Sequence, residues 1–383
     1  LDFFLGAIRM TARDNMMVVD ARLETPFRAP EVASFVSASR TVIQIETGAE
    51  PIKIDFHRYV ALMENATYSP KNLGILGKDH ATVVSAHPFN IGLPLDGMAF
   101  GVAEKILPNK KIRLHYPRPK IHVEGAAVCL YFSKGFAVFL RDILLGAFRA
   151  RRMLGTTPPI LVPDDLGERQ RAFLEVIGLT DKDLIEVPAT GTVTVSKAFI
   201  PSRSFARDVK VKVGSDWRNL RFLMEPEDTG AFNQEMQDRY GGGPKRRLFI
   251  SRADASGRRI LNEDAIMNRL TVLGFERLVL AEMPVPKIVS AFANAEIILS
   301  PHGSGLTNIL FSPPGAQVIE IDHPRSDFVA HGLSRALGQG FHVIDKVSDA
   351  ARERSSQVDQ APDPEGVARI VKRAIDRIGA NSP

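Results

Sequence analysis

The stretch Ala295-Glu296-Ile297-Ile298-Leu299-Ser300-Pro301-His302-Gly303-Ser304-Gly305-Leu306-Thr307-Asn308 runs from an apolar strand through a glycine-punctuated turn into a helix. A short apolar run bounded by turn residues is what a strand buried on both faces requires, and such strands belong to parallel sheets covered by helices. The pattern repeats on both sides. Strands are expected at 247–251, 277–281, 296–300, 317–321 and 341–345, with helices at 262–273, 286–294, 304–310 and 328–337 between them. Regular alternation of this kind specifies a parallel, doubly wound α/β sheet.

Further out, the middle of the chain is also α/β. A strand at 126–132 is followed by a helix that sets Phe136, Leu140, Ile143, Leu144 and Ala147 at helical spacing, and strands at 159–163 and 184–187 flank a helix at 167–177. The run Gly241-Gly242-Gly243-Pro244, after a helical stretch at 229–239, is the strongest flexible punctuation and marks a domain boundary. Residues 1–125 give short β-like runs such as Met17-Val18-Val19, Thr41-Val42-Ile43-Gln44-Ile45 and Ile52-Lys53-Ile54. Residues 349–363, rich in charge, Ser, Gln and Pro, read as a linker. The amphipathic helix that follows at 365–378 is expected outside the second sheet's core.

A chain of 383 residues is long enough for two or three domains, and 44% hydrophobic with 24% charged residues excludes general disorder. The excess of 49 Lys and Arg over 44 Asp and Glu suits an anionic partner without choosing among a phosphorylated ligand, nucleic acid and an acidic membrane surface. Cys129 stands alone, so an intramolecular disulfide and a cysteine zinc site are both excluded. The first ten residues are too short and interrupted for a membrane span and lack the basic region of a signal peptide, which makes the cytoplasm the expected compartment. His57, His80, His87, His323 and His331 form no metal-ligand spacing.

Ligands of such sheets collect at the carboxyl ends of the strands. Two loops there carry unusual chemistry. In 301–308, Gly303 and Gly305 let backbone approach a ligand, the helix start offers N–H groups to phosphate, and His302, Ser304, Thr307 and Asn308 add side-chain hydrogen bonds. A plain strand-to-helix turn with Ser304 as N-cap is the competing reading. The second loop, Arg252-Ala253-Asp254-Ala255-Ser256-Gly257-Arg258-Arg259-Ile260-Leu261-Asn262-Glu263, carries arginine forks suited to a pyrophosphate. Its competing reading makes Arg258 and Arg259 solvated charges and Asn262 an N-cap. Glu320 ends an apolar strand, where a carboxylate either takes sugar hydroxyls or pairs with an arginine.

These pieces resemble glycosyltransferase family 61 as a linked set. The set is the Ile250-Ser251-Arg252 strand end, Arg258 through Asn262-Glu263, Gly274-Phe275, Ala295-Glu296, the His302 to Asn308 loop, Phe311 with Pro314-Gly315, and Val318-Ile319-Glu320, in order over about 75 residues. The resemblance implies an α/β fold of the GT-B type. Two Rossmann-like domains with parallel sheets would lie at 126–242 (acceptor side) and 243–350 (donor side), after a β-rich region at 1–125 and before a linker and C-terminal helix at 351–383. It implies inverting transfer from a nucleotide sugar, such as a UDP-sugar, to a glycan acceptor in surface polysaccharide biosynthesis. Peripheral association with a membrane or a biosynthetic complex goes with that role, and nucleic acid is not an expected partner.

Donor and phosphate binding fall to Arg252, Arg258, Asn262, Glu263, Gly303, Ser304, Gly305, Thr307, Asn308 and Glu320, and catalysis to Asp142 and His302. No metal or other cofactor is expected, because Arg252, Arg258 and the helix start supply leaving-group charge and no Asp-x-Asp pair lies near these loops. Family members commonly carry Asn-Tyr-x-His-Trp-Leu-x-Asp at the head of the first domain's first helix. Here Gly135-Phe136-Ala137-Val138-Phe139-Leu140-Arg141-Asp142 keeps Leu140 and Asp142 and puts Val138 at the histidine position. That departure supports one rival, a catalytically inactive nucleotide- or glycan-binding assembly protein. The run Lys110, Lys111, Arg113, Arg118 and Lys120 supports another, a basic nucleic-acid-binding protein, although no nucleic-acid motif surrounds it.

Overall fold

A computed structural model of the protein describes residues 4–13, 16–24, 33–45, 52–70, 75–76, 82–84, 103–107, 111–117, 119–132, 135–202, 205–206, 209–213, 216–220, 223–321, 329–344 and 359–380. The chain divides into two compact units, one of residues 1–42 and 55–204, the other of 43–54 and 205–383. Both units contain parallel strands within a mixed α/β architecture.

In the first unit the described residues form a twelve-stranded sheet. One side of it is parallel: Leu184–Val187, Ile160–Pro163, Ile121–Cys129 and Val193–Pro201 lie side by side in that order. Val193–Pro201 then pairs antiparallel with the long strand Ile52–Tyr68, which leads into the β-rich N-terminal strands. The core between them holds Tyr59, Met63, Tyr68, Val123, Leu161, Val193, Val195 and Ile200. Val193–Pro201 alternates buried and half-exposed residues, as a strand with one solvated face must.

The second unit holds five parallel strands in the order Phe275–Leu278, Arg246–Ile250, Ala295–Pro301, Gln317–Ile321, Gly340–Ile344. In chain order that is 2-1-3-4-5, so the winding reverses between the first strand and the third. Helices Glu263–Thr271, Val285–Ala293 and Val329–Ala336 return the chain between strands, as the alternation predicts. The connection Ser304–Phe311 is a 3-10 helix instead of an α-helix.

Three expectations change here. The Gly241 to Gly243 run is a packed helix exit. The Gly241 N–H closes the helix Pro226–Tyr240 on the Gln237 carbonyl (2.9 Å), Gly242 takes φ +82°, and the Gly243 N–H donates to Asn294 Oδ1 (2.7 Å). Helix Pro226–Tyr240 lies in the second unit, because Asn233 Nδ2 donates to the carbonyls of Leu310 and Ser312 (2.9 Å each) and Phe232 packs on Phe311. The division between units therefore precedes that helix, and does not fall at 243. The C-terminal helix Pro364–Ala380 is a core element: Val367, Val371 and Ala374 are buried with Ile260, Ile266, Met267 and Leu270. The end of the expected linker is bonded too, as described below.

Candidate functional site

In a sheet wound 2-1-3-4-5, the loops leaving the carboxyl ends of the first and third strands run to opposite faces and open a crevice between them. These are the two loops that carry Arg252 and His302. Their strands are paired directly, with Leu248 opposite Ile298 and Phe249 opposite Leu299.

Arg252 follows the first strand. Ser251, buried, bonds its N–H to the Leu278 carbonyl (2.9 Å), donates its hydroxyl to Glu263 Oε2 (3.0 Å) and accepts the Ala253 N–H (3.1 Å). Glu263 is held in turn by Arg277 (3.2 Å). The Arg252 guanidinium, half-buried, donates Nη2 to the Gly257 carbonyl (3.1 Å) and lies across the third strand's turn. A Cβ on Gly303 would meet its Nη1 at 2.3 Å. Gly303 has extended backbone (φ 169°, ψ 170°), so its missing side chain matters for that contact and not for conformational freedom.

Arg258 lies near Arg252 and takes a left-handed φ of +59°. The Arg252 guanidinium is held below its ordinary pKa first by burial and then by the charge of Arg258, with Asp254 offsetting part of this. For both arginines, Nε is buried and has no hydrogen-bond partner among the described residues. Like charges brought together with unspent donors form a concentrated anion-binding potential.

The second loop carries His302. His302 donates its N–H to the Ile321 carbonyl (3.0 Å), and its Nδ1 lies 2.5 Å from Oε1 of Glu320, whose side chain is 1% exposed. A proton on Nδ1, donated to the carboxylate, leaves the lone pair of the neutral ring on Nε2. Gly303 stands at the N-cap position and Ser304 is the first, exposed residue of the 3-10 helix, so Ser304 is not the cap. Thr307 and Asn308 face inward and are buried. Asn308 Nδ2 bonds the Gly305 carbonyl (2.8 Å), which braces the turn from behind.

Arg252, Arg258, His302, Gly303, Ser304, Gly305 and Glu320 thus belong to the two loops and strand ends around the winding reversal. Asn262 and Glu263 sit behind them. Asn262 occupies an N-cap position without capping, and its Nδ2 goes instead to the Pro362 carbonyl (2.8 Å). Arg259, read as a solvated charge, is bound to Asp359 by Nη2 (2.6 Å) and Nε (3.0 Å).

Asp142 lies in the first unit, within a π-helical turn, Phe139–Leu144, a helix form that recurs at functional sites. Both its carboxylate oxygens accept from the buried Arg141 (2.6 and 2.8 Å). Burial, and then the Asp142 charge, push the phenol pKa of Tyr131 up. Within the basic run, Lys110 and Arg118 lie outside the described residues, as do His80, His87 and His323, and Lys120 is exposed. Among the described residues no group of three or more His, Cys, Asp or Glu is placed to hold a metal ion, and no helix is long and apolar enough to cross a membrane.

A family model described as glycosyltransferase 61 matches residues 80–319, well over half of the chain and inclusive of both loops. A β-1,2-xylosyltransferase of Oryza sativa subsp. japonica, XAX1, is 39% identical over 77 residues. That match takes in 20% of this chain and 13% of the rice protein's length.

Proposed function

The chain belongs to glycosyltransferase family 61, and from that premise we propose that it transfers a sugar from a nucleotide-sugar donor whose diphosphate is bound by Arg252, Arg258 and the 303–305 turn. The observation that carries this reading is the pair of half-buried guanidiniums, each with a buried Nε that has no partner among the described residues, beside a glycine that Arg252 approaches closely. A nucleoside diphosphate presents the charge and the acceptors that such a pair lacks.

In the proposed reaction the acceptor hydroxyl oxygen attacks the anomeric carbon from the face opposite the diphosphate. The bond from that carbon to the diphosphate oxygen breaks, its electron pair stays on the leaving diphosphate, and the configuration inverts. Arg252, Arg258 and the N–H groups of the turn stabilise the charge that develops there, which is the electrostatic part of catalysis. That charge is the task a divalent ion performs elsewhere, so turnover is proposed to be metal-independent. The hydroxyl proton goes to a base. His302, oriented through Nδ1 by Glu320, has the arrangement of an oriented base. Asp142, with both oxygens on Arg141, is built like a structural pair, and its claim rests on its position in the family's motif.

The GT-B arrangement, a UDP-pentose or UDP-hexose donor, a glycan acceptor of a surface polysaccharide and cytoplasmic work at a membrane or biosynthetic complex complete the proposal. Val138, in place of the family's histidine, supports a second reading in which donor binding survives without turnover. Incubating the protein with a panel of UDP-, GDP- and CDP-sugars separates the two. The expected result is slow donor hydrolysis that continues in excess chelator. Binding of a nucleoside diphosphate with no hydrolysis or transfer supports the second reading, and activity that vanishes in chelator and returns with Mg²⁺ or Mn²⁺ refutes metal independence.

A further inference from the structure

The left-handed backbone at Arg258 persists only if its surroundings fix it, and those surroundings come from a part of the chain about a hundred residues away. Asp359 Oδ1 accepts the Arg259 main-chain N–H (2.9 Å), while Oδ2 takes the Arg259 side chain. The Gln360 N–H donates to the Arg259 carbonyl (2.8 Å), the Leu261 N–H donates to the Gln360 carbonyl (2.7 Å), and Ile260 bridges Gln360 in parallel. Asn262 closes the set on Pro362. Immediately after it, Asp363 accepts the N–H groups of Glu365 and Gly366 at the head of the C-terminal helix, whose apolar face is buried with Ile260.

The peptide whose N–H Asp359 grips is the one that joins Arg258 to Arg259. Holding that peptide sets ψ of Arg258 and thus where its guanidinium goes. We infer that the segment 359–362 is a positioning strap for the donor-diphosphate site, with Asp359 acting on the ligand through Arg258. This rests on the diphosphate reading above, and extends it to residues that touch no ligand.

The sign of the effect is diagnostic. Asp359 is a negative charge near an anion site, so if it acted only through its field, removing it would strengthen diphosphate binding. If it acts by holding Arg258, removing it weakens binding. Calorimetric titration of UDP and of inorganic pyrophosphate into the full chain reads this directly. Asp359→Ala is expected to weaken both ligands about five- to tenfold, and Asp359→Asn, which still accepts the Arg259 N–H, to stay within about twofold of wild type. Gln360→Pro deletes a strap N–H by a different chemistry and is expected to weaken binding in the same direction. On an Arg258→Ala background, Asp359→Ala should add nothing, since the group it positions is gone. Affinity unchanged or tighter in Asp359→Ala and Gln360→Pro, or a full additional loss on the Arg258→Ala background, overturns the strap. Failure of wild type to bind either ligand instead overturns the diphosphate reading itself.

Discussion

Replacing Gly303 with alanine tests the site with a single methyl group. The new Cβ would stand 2.3 Å from Arg252 Nη1 and 3.1 Å from Cζ, whereas ordinary contacts begin near 3.4 Å, so the guanidinium must withdraw by about 1 Å. The backbone at 303 is extended and accepts any residue, and the obstructing atoms are the far end of a flexible side chain. Stability should therefore change by less than about 1 kcal/mol. Ligand affinity should not be spared. A charge-assisted hydrogen bond contributes about 1.5–3 kcal/mol, so displacing Arg252 is expected to weaken UDP binding by roughly ten- to a hundredfold.

Gly305→Ala is the companion variant in the same turn: its Cβ meets Leu280 Cδ1 at 3.3 Å and Ile250 Cγ2 at 3.5 Å and not Arg252, so a loss there comes from the turn itself. The assay is calorimetric titration of UDP into wild type, Gly303→Ala, Gly305→Ala, Arg252→Ala and the Gly303/Arg252 double variant, with melting curves alongside. The two single losses should be similar and the double no worse than Arg252→Ala, since the methyl acts only by moving that arginine. Wild-type affinity in a folded Gly303→Ala protein would refute the reasoning, as would losses that add in the double variant.

Two further outcomes are expected. Glu320→Gln keeps the shape beside His302 but removes the charge that orients and stabilises a protonated ring, so kcat should fall about ten- to a hundredfold while UDP affinity stays within about twofold; an equal loss in both would make Glu320 a binding or folding residue instead. His331, stacked on Phe341, is held at about 4 by burial and by Arg335, below its ordinary 6.5. Between those values the unfolded chain takes up a proton that the folded chain refuses, so stability is unaffected above about pH 6.5, falls as pH drops through the window, and levels off below about 4, by about 3 kcal/mol at most. Denaturant melts of wild type and His331→Gln at pH 7 and pH 4.5 check this, and a stability difference between them that does not change with pH refutes it.

The second unit was legible because its strands are buried on both faces, which forces continuous apolar runs such as Ile297-Ile298-Leu299 between turn residues. Even so, the 3-10 form of Ser304–Phe311 depends on hydrogen-bond spacing that no side-chain pattern announces. Val193–Pro201 was missed although its burial alternates, because it mixes a parallel and an antiparallel neighbour that are distant in sequence. The Gly241 to Gly243 run misled for a physical reason: glycine serves a packed left-handed helix exit as well as a flexible joint, and composition cannot tell the two apart. Of the proposed site, Arg252 and the 303–305 turn are local features of the sequence. Arg259 and Asp359 could not, since each reads as an exposed charge until the fold pairs them across a hundred residues.

What separates a ligand-binding arginine from a structural one is how fully the protein answers its donors, and the arginines of the proposed donor site differ in this from two structural ones. Arg149, among the most buried side chains, gives Nη1 to the Ser202 carbonyl and hydroxyl (2.7 and 3.1 Å), and Arg141 locks both oxygens of Asp142. These are the partners that a buried charge needs if nothing else is to bind it. Arg252 and Arg258 are treated in the opposite way: they are less buried, set against each other, and left with Nε donors that no group among the described residues accepts. An unanswered buried donor costs about 1–3 kcal/mol, and the left-handed turn at Arg258 about 1–3 more. A fold that saturates Arg149 has the means to saturate these two. That it leaves both Nε donors without an acceptor among the described residues, beside the point where the sheet's winding reverses, is explained if an anion completes them, and the diphosphate of a sugar donor has the charge and the oxygens to do so.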